Sequence, residues 1–298
     1  MGSYALSKAD IEEFRQQGII GPLDLYDRDE ILRAYKEEVR PALFDRSRAP
    51  YDLPVDAPTA NYDRHLDIGF LGDHVRNPRI VDKLTSILGP DILCWRSEFF
   101  PKYPGDAGTQ WHQADTFAHA SGRPQLIWPE NAEFGGAITV WTAFTDCTIS
   151  NGCMRFIPGT QTAMHYDEMK GMTFQGHDSE SGFFGYDYRE LQVDADWAPD
   201  ESKAVSKEMR AGQFIIFWST LMHASYSNTT SNQTRLAYAT RYVPTSVRVY
   251  PDTDFVEEYG HRFSLQNYTT VLVAGADRFG CNKIAAHKPG GNPMSSPG

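Results

Sequence analysis

Apolar side chains recur at helical spacing through the N-terminal third of the chain. Ser7 is a suitable N-cap with Asp10 in the first turn, and Gly18 predicts the end of that first helix. Residues 27–44 keep the same spacing and predict a second helix. A third helix is predicted over residues 77–90, because Asn-Pro favours a helix start and Gly-Pro favours a helix end.

Short β-rich runs replace this pattern from about residue 92. The predicted strands are residues 92–95, 137–144, 213–218, 235–243 and 247–250. Asn151-Gly152 falls between two such runs and predicts a hairpin turn. Many short strands with turn signals between them indicate an all-β sandwich, barrel or jelly roll. The polar, glycine-bearing region 164–207 is interpreted as a long insertion or lid.

We expect one elaborated domain over residues 1–286, because 298 residues that are 41% hydrophobic are ample for a large core. Its helical part would extend to about residue 90, and its β core would span about residues 91–275. Residues 287–298 are rich in Pro, Gly and Ser and are predicted to form a disordered tail.

The charge pattern narrows the classes of partner. The net charge is −11 and no run of Lys and Arg stands out, so we expect neither nucleic acid nor an anionic membrane as a partner.

We expect no signal peptide and no transmembrane helix, because the chain shows neither a basic and apolar leader nor an apolar run of roughly 20 residues. The four cysteines lack a CxxC spacing, which favours reduced thiols and a cytoplasmic protein.

The sequence His112-Gln113-Ala114 is the strongest indication of a catalytic metal site in the chain. Mononuclear non-haem iron enzymes hold Fe(II) with two histidines and one carboxylate. Their signature places the carboxylate two residues after the first histidine, because residues i and i+2 of a strand share a face. Here Ala114 occupies that position, and a methyl group cannot bind iron. A small anion such as chloride could take the vacated coordination position, which predicts a halogenase rather than a hydroxylase.

A second metal ligand and an anion site are predicted further along the chain. His223 follows the buried strand pattern of residues 212–219 and is the candidate second histidine. Arg235 and Arg241 share one face of a predicted strand and are separated on that face by small residues. Such a face suits an anion pocket, since arginine binds carboxylates in a bidentate manner. Structural ion pairs for one or both arginines are the alternative.

Smaller signals surround these residues. Thr139 and Trp141 share a strand face, and the Trp141 indole N–H could orient a carboxylate, although a core position is the simpler interpretation. Glu98, Phe99 and Phe100 could line a pocket, with core packing as the alternative for the two phenylalanines.

From about Leu6 to about Val273 the chain resembles the phytanoyl-CoA-dioxygenase-like superfamily of iron(II)/2-oxoglutarate enzymes. Within it, the chain is most similar to aliphatic halogenases that act on an amino acid tethered to a peptidyl carrier protein, above all the threonyl- and 2-aminobutyryl-carrier halogenases. The segments that carry this resemblance are residues 61–66, 93–106, 111–117, 156–161 and 211–225.

The resemblance implies a mainly β fold, with a double-stranded β-helix (jelly-roll, cupin-like) core and N-terminal helices packed on it. It implies Fe(II), 2-oxoglutarate and chloride as cofactors, with O₂ as co-substrate. Oxidative decarboxylation of 2-oxoglutarate to succinate and CO₂ would lead, through a chloro-iron(IV)-oxo intermediate, to chlorination of an unactivated aliphatic carbon. The implied partner is an aminoacyl-phosphopantetheinyl carrier protein, and the implied setting is non-ribosomal peptide or antibiotic biosynthesis.

Position by position, the resemblance assigns roles to ten residues. His112 and His223 would bind the metal, and Ala114 would mark the halide position. The further roles it implies are 2-oxoglutarate binding for Thr109, Trp141 and Arg235, a polar halide network for Thr139 and Arg241, and the halide-pocket wall for Phe117 and Ser219. His119 stands where the family pattern has Asn, so this chain departs from the pattern there.

Two other functions stay open at this level. One is a hydroxylase of the same superfamily with Asp115 as the carboxylate ligand, which would need a β-bulge to turn Asp115 toward His112. The other is a binding protein that has lost its metal. The retained second histidine and the two arginines argue against such decay.

Overall fold

The computed structural model describes residues 4–132, 136–176, 183–287 and 289. Its helices are α1 (Lys8–Gln17), α2 (Arg28–Ala34), α3 (Arg40–Phe44), α4 (Gly69–His74) and α5 (Pro78–Leu88), with a π-helix at Tyr35–Val39 and 3₁₀ helices at Pro58–Asn61, Arg64–Leu66, Glu168–Lys170, Tyr188–Leu191 and Glu201–Lys203. The strands are β1 (Ile19–Asp24), β2 (Ile92–Lys102), β3 (Thr109–His112), β4 (Leu126–Ile127), β5 (Ile138–Ala143), β6 (Met154–Phe156), β7 (Val205–Lys207), β8 (Gln213–Trp218), β9 (His223–Ser225), β10 (Arg235–Pro244), β11 (Arg248–Val249), β12 (Phe255–Glu258), β13 (His261–Ser264) and β14 (Val271–Ala274).

The three predicted helical regions are confirmed. Helix α1 begins with a capping box, in which Ser7 accepts a hydrogen bond from the Asp10 backbone and the Asp10 side chain accepts one from the Ser7 backbone. It ends at Gly18, whose left-handed backbone conformation suits glycine. The region 27–44 is helical throughout, although one π-helical turn separates α2 from α3.

Two antiparallel sheets form the core of the fold. The larger has the strand order β1-β8-β5-β10-β2-β14, and the smaller has the order β3-β9-β6-β7. Two short pairs, β11 with β4 and β12 with β13, complete the sheet structure of the described residues. The predicted fold class is confirmed: the chain is mainly β, with a jelly-roll core and N-terminal helices packed on it.

The larger sheet is buried on both faces, and strand β8 shows why its sequence is continuously apolar. Phe214 and Ile216 pack in a cluster that includes the α5 residue Leu84. The alternate residues Ile215 and Phe217 point to the opposite face and pack against the smaller sheet. The helices therefore cover one face, and the other face is free to build an interior site.

Two turn and strand predictions need correction. Asn151-Gly152 forms a turn, but the strands on either side, β5 and β6, belong to different sheets, so no hairpin results. The Asn151 side chain stabilises the turn by accepting from the Thr148 backbone and donating to the Asp146 carbonyl. The strand predicted over 247–250 shrinks to the two residues of β11.

The region 164–207 contains the three later 3₁₀ helices and β7, with residues 177–182 outside the described part of the chain. Its role as a lid stays a prediction, as does the single domain over residues 1–286. The predicted tail, 287–298, lies outside the described residues apart from His287 and Pro289. None of the helices in the described ranges is both long and apolar enough to cross a membrane.

Candidate active site

One cavity between the two sheets brings together His119 and all ten residues to which the resemblance assigned a role. Side chains from the larger sheet meet the ends of β3 and β9 from the smaller sheet around it. The predicted residues in its lining are Thr109, His112, Ala114, Phe117, His119, Thr139, Trp141, Ser219, His223, Arg235 and Arg241. Their individual roles stay predictions, but their common location is a finding.

His112 and His223 face each other across a strand pair. His112 ends β3, His223 begins β9, and the two residues are paired in the sheet register. Their ring centroids are 4.0 Å apart. Each Nδ1 lies against a backbone carbonyl two residues earlier in the chain, that of Gln110 at 2.8 Å for His112 and that of Leu221 at 2.6 Å for His223. This arrangement fixes both rings and leaves Nε2 as the nitrogen available to a metal.

The electrostatics of the pair also suit a metal. Burial, followed by the charge of His223, holds the pKa of His112 well below its ordinary value. Burial lowers the pKa of His223 to about 4. Both imidazoles are therefore neutral near pH 7, which is the form that binds transition metals. Among the described residues, no set of three or more His, Cys, Asp or Glu side chains is arranged to hold a metal ion. The donor set is two neutral imidazoles, which fits an ion that takes its other ligands from small molecules.

Ala114 and Asp115 have opposite placements. Ala114 is buried in the cavity lining, and its backbone N–H donates to the Ser219 carbonyl at 2.9 Å. Asp115 is not among the lining residues. Burial, followed by the neighbouring charge of Glu168, raises the pKa of the Asp115 carboxyl to about 6. The geometry therefore gives no support to Asp115 as the carboxylate of a hydroxylase.

Arg235 lies at one end of the cavity without a carboxylate partner in the described ranges. Its guanidinium donates to the carbonyls of Gly152 (3.1 Å) and Phe100 (2.9 Å) and lies over the Trp141 ring at 5.1 Å. The residue opposite it on β2 is Lys102, which is also buried. Two like charges directly opposite each other on neighbouring strands destabilise a sheet unless an anion joins them. This end of the cavity is thus suited to a carboxylate-bearing ligand.

Arg241 differs, because its charge is neutralised within the protein. Its guanidinium forms a short ion pair with the Glu98 carboxylate and lies over the Phe117 ring at 5.2 Å. The alternative of a structural ion pair thus applies to Arg241 and not to Arg235. Thr139 lies opposite Arg241 in the register of β5 with β10. Glu98 is the one carboxylate among the described residues that line the cavity.

His119 and Ser219 occupy the wall near Ala114. The Ser219 hydroxyl accepts a hydrogen bond from the Ala137 backbone at 2.9 Å. The His119 ring is buried, and neither of its nitrogens has a hydrogen-bond partner in the described structure. Its Nδ1 lies 3.8 Å from a carboxylate oxygen of Glu168. His119 is therefore a buried polar group whose hydrogen-bonding capacity is unused.

Several lining residues escaped the sequence analysis. Of the three residues named before Pro101, Glu98 and Phe100 line the cavity, whereas Phe99 packs against Tyr238 in another cluster. The missed side chains on the same face of β2 are Arg96 and Lys102. A strict two-residue alternation through β2 would have found them. Phe183, Phe184 and Tyr188 also line the cavity, and no local signal connects the region 164–207 (the inserted region) to it.

Most of the chain matches a known protein family. The family model for phytanoyl-CoA dioxygenase (PhyH) matches residues 14–237. The chain is 30% identical over 104 residues to the phytanoyl-CoA dioxygenase domain-containing protein 1 homolog of Dictyostelium discoideum, a match that covers 35% of this chain and 34% of that protein. The chain thus matches about a third of the length of that curated relative.

Solved structures extend the similarity to nearly the whole chain. CytC3 is 40% identical, with a TM-score of 0.78 over 99% of this chain and 98% of that one. A structure of CytC3 with Fe(II) and alpha-ketoglutarate gives the same values. The non-haem monooxygenase ThoJ in complex with Ni is 23% identical, with a TM-score of 0.63 over 94% of this chain and 89% of that one, a likeness of fold alone.

Proposed function

The chain belongs to the phytanoyl-CoA dioxygenase family of Fe(II)/2-oxoglutarate-dependent oxygenases, and we propose that it is a halogenase that chlorinates an aliphatic carbon of a carrier-bound amino acid. The observation that carries this proposal is the position of Ala114. A methyl group lies in the cavity beside two metal-suited histidines, where the family chemistry otherwise uses a carboxylate.

The residues divide the binding of the cofactors between them. His112 and His223 would hold Fe(II) through Nε2, with their orientation fixed by the backbone carbonyls of Gln110 and Leu221. Arg235 would bind the distal carboxylate of 2-oxoglutarate, because it is the buried arginine of the cavity without a carboxylate partner among the described residues. Thr109 and Trp141 complete that end of the site. When bound, iron and 2-oxoglutarate supply, with O₂, an oxidant able to take hydrogen from an unactivated carbon.

The chain's own residues then shape the position of the halide. Ala114 leaves room for an anion, and its backbone is held by the Ser219 carbonyl. Arg241 and Thr139 provide a positive charge and a hydroxyl on the neighbouring strands. Because the Glu98 carboxylate offsets much of the Arg241 charge, the position suits a singly charged halide better than a more highly charged anion. Phe117 and Ser219 form the wall.

A carrier-bound amino acid suits the remaining space. The aromatic side chains Phe100, Phe183 and Tyr259 line the cavity and can exclude water from an apolar carbon. Phe184 lines it too and is 40% exposed, so the cavity reaches the surface beside this residue. A tether entering there would position the reacting carbon by binding energy remote from it. We expect a free amino acid to be a far poorer substrate than the same residue on a phosphopantetheinyl carrier.

The decisive experiment is an anaerobic crystal structure with Fe(II), 2-oxoglutarate and bromide, with anomalous scattering used to locate the halide. Bromide bound to iron beside Ala114 would support a halogenase. Asp115 bound to iron would support the hydroxylase, and an iron-free site at millimolar Fe(II) would support a binding protein. Mass spectrometry of aminoacyl carrier proteins after reaction with chloride and O₂ then tests the substrate class, with threonyl and 2-aminobutyryl carriers as the first candidates.

A further inference from the structure

A buried glutamate of the inserted region contacts the segment that carries Ala114. Glu168 begins the 3₁₀ helix Glu168–Lys170, where Asp167 caps the helix by accepting from the Met169 backbone. Its side chain is buried and points to the loop that follows strand β3. One carboxylate oxygen, Oε2, accepts the backbone N–H of Asp115 at 3.1 Å and that of Thr116 at 2.7 Å. The same oxygen accepts the Thr116 hydroxyl at 3.0 Å.

These contacts hold a short segment that is also anchored through the Gln113 side chain and the Thr116 carbonyl. Strand β3 ends at His112, so the residues after it have no strand partner. Ala114 is fixed from one side by the Ser219 carbonyl, and Glu168 fixes the next two amides from the other side. Phe117 then adopts a left-handed backbone, which is uncommon for a residue with a side chain, and turns its ring into the cavity wall. Ser219 and Glu168 are thus two of the anchors that position Ala114.

The second oxygen of Glu168 reaches the residue at which this chain departs from the family pattern. Oε1 has no hydrogen-bond partner and lies 3.8 Å from Nδ1 of His119. That distance is too long for a hydrogen bond, so this carboxylate oxygen lies beside the His119 ring without bonding to it. The His119 carbonyl is in turn held by the Met172 backbone N–H at 2.8 Å, which comes from the same inserted region. The inserted region therefore holds the segment 115–119 at both ends.

We propose that Glu168 is a positioning residue for the halide: it holds the backbone of Asp115 and Thr116, lies beside the His119 ring, and so sets the space beside Ala114. This inference rests on the proposed halogenase function. Glu168 itself is not in the cavity lining, so it acts through the segment that it holds. The contact would hold this loop whether the enzyme is a hydroxylase or a halogenase, but only a halide-binding enzyme would show its loss in halide affinity.

The negative charge of Glu168 and its hydrogen bonds to the backbone are expected to have opposite effects on chloride affinity, so variants can separate them. A carboxylate near an anion site repels the anion, so removal of Glu168 on charge alone would tighten halide binding. Removal of the two amide contacts would let the Ala114 segment move and would weaken it. We expect position to dominate. Glu168→Ala and Glu168→Asp should each raise the dissociation constant for chloride by about tenfold or more, because the shorter aspartate keeps the charge but loses the reach.

Glu168→Gln separates the two effects further. Its amide oxygen can still accept from the Asp115 and Thr116 backbones, so chloride affinity should stay within about threefold of the wild type. Glu190→Ala is the matched control. Glu190 also lies in the inserted region and accepts from the Thr173 backbone at 3.0 Å, but it is exposed and absent from the cavity lining. This control should change neither chloride nor 2-oxoglutarate affinity by more than about twofold.

The measurement is anaerobic titration of the Fe(II)–2-oxoglutarate absorption band with chloride, and separately with 2-oxoglutarate. The dissociation constant for 2-oxoglutarate should stay within about threefold in all four variants, which a general loss of folding would not allow. Unchanged or tighter chloride binding in both Glu168→Ala and Glu168→Asp would overturn the inference. If Glu168→Ala fails to fold, Glu168→Asp against Glu168→Gln decides. If the wild type itself shows no response to chloride or bromide, the proposed function fails first, and the two failures are distinguishable.

Discussion

Lys102 offers a stability prediction whose sign changes with pH. It is 5% exposed, and its ammonium donates to the Ala107 carbonyl with no carboxylate partner in the described part of the chain. Burial, followed by the charge of Arg235, lowers the pKa of Lys102 from 10.5 to about 8. That difference corresponds to about 3 kcal/mol of unfolding free energy. Burial of the charge lowers the unfolding free energy by this amount below about pH 8, where Lys102 is charged in both the folded and the unfolded state.

Lys102→Met removes the charge and keeps an apolar stem of similar length. At pH 7 removal of the buried charge raises the unfolding free energy of the variant by about 3 kcal/mol. Loss of the hydrogen bond to Ala107 lowers it by about 1 kcal/mol. We expect it to be about 2 kcal/mol more stable than the wild type there. Between pH 8 and 10.5 the unfolded wild type binds more protons than the folded one, so wild-type stability rises with pH relative to the variant. Above that window the variant should be less stable by about 1 kcal/mol.

Urea denaturation of the cofactor-free protein at pH 7, 8.5 and 10 measures this difference directly. Lys283→Met is the control, since Lys283 is exposed and also donates to a backbone carbonyl, that of Gln266. The control should differ from the wild type by the same amount at every pH. A difference between Lys102→Met and the wild type that does not depend on pH would refute the reasoning that burial penalises this charge.

Three further predictions concern the cofactors. His112→Ala or His223→Ala should abolish tight Fe(II) binding, and near-normal iron content by metal analysis would contradict the assignment. Arg235→Ala should weaken 2-oxoglutarate binding by roughly 2–5 kcal/mol, whereas Arg241→Ala should act mainly on chloride; the reverse ranking in absorption titrations would mean that the two roles are exchanged. Ala114→Asp should abolish chlorination, because the new carboxylate competes with the halide by charge and volume. The variant should not hydroxylate efficiently either, since a carboxylate misplaced by ~1 Å costs about 10²-fold in rate. Chlorinated product at wild-type levels, by mass spectrometry, would remove the main support for the halogenase.

The sequence by itself determined the local features of the fold. The capping box of Ser7 with Asp10 and the helix end at Gly18 depend on residues within a few positions of each other. The strand pattern of residues 213–218 follows from the alternation of two buried faces. His112 and Ala114 also belong to this class, because their shared location follows from a two-residue spacing. Interactions between residues that are this close in sequence can be predicted from the local sequence alone.

Only the tertiary structure decided which distant residues meet. Arg241 pairs with Glu98 across 143 positions, and that contact separates it from Arg235, although the two looked alike on their strand. Asn151-Gly152 connects two different sheets instead of closing a hairpin, because β5 and β6 on either side of it pair with other strands. Glu168 reaches the Ala114 segment from more than fifty positions away. Local propensity cannot specify such contacts, since they depend on how the sheets pack and on which buried polar groups remain to be satisfied.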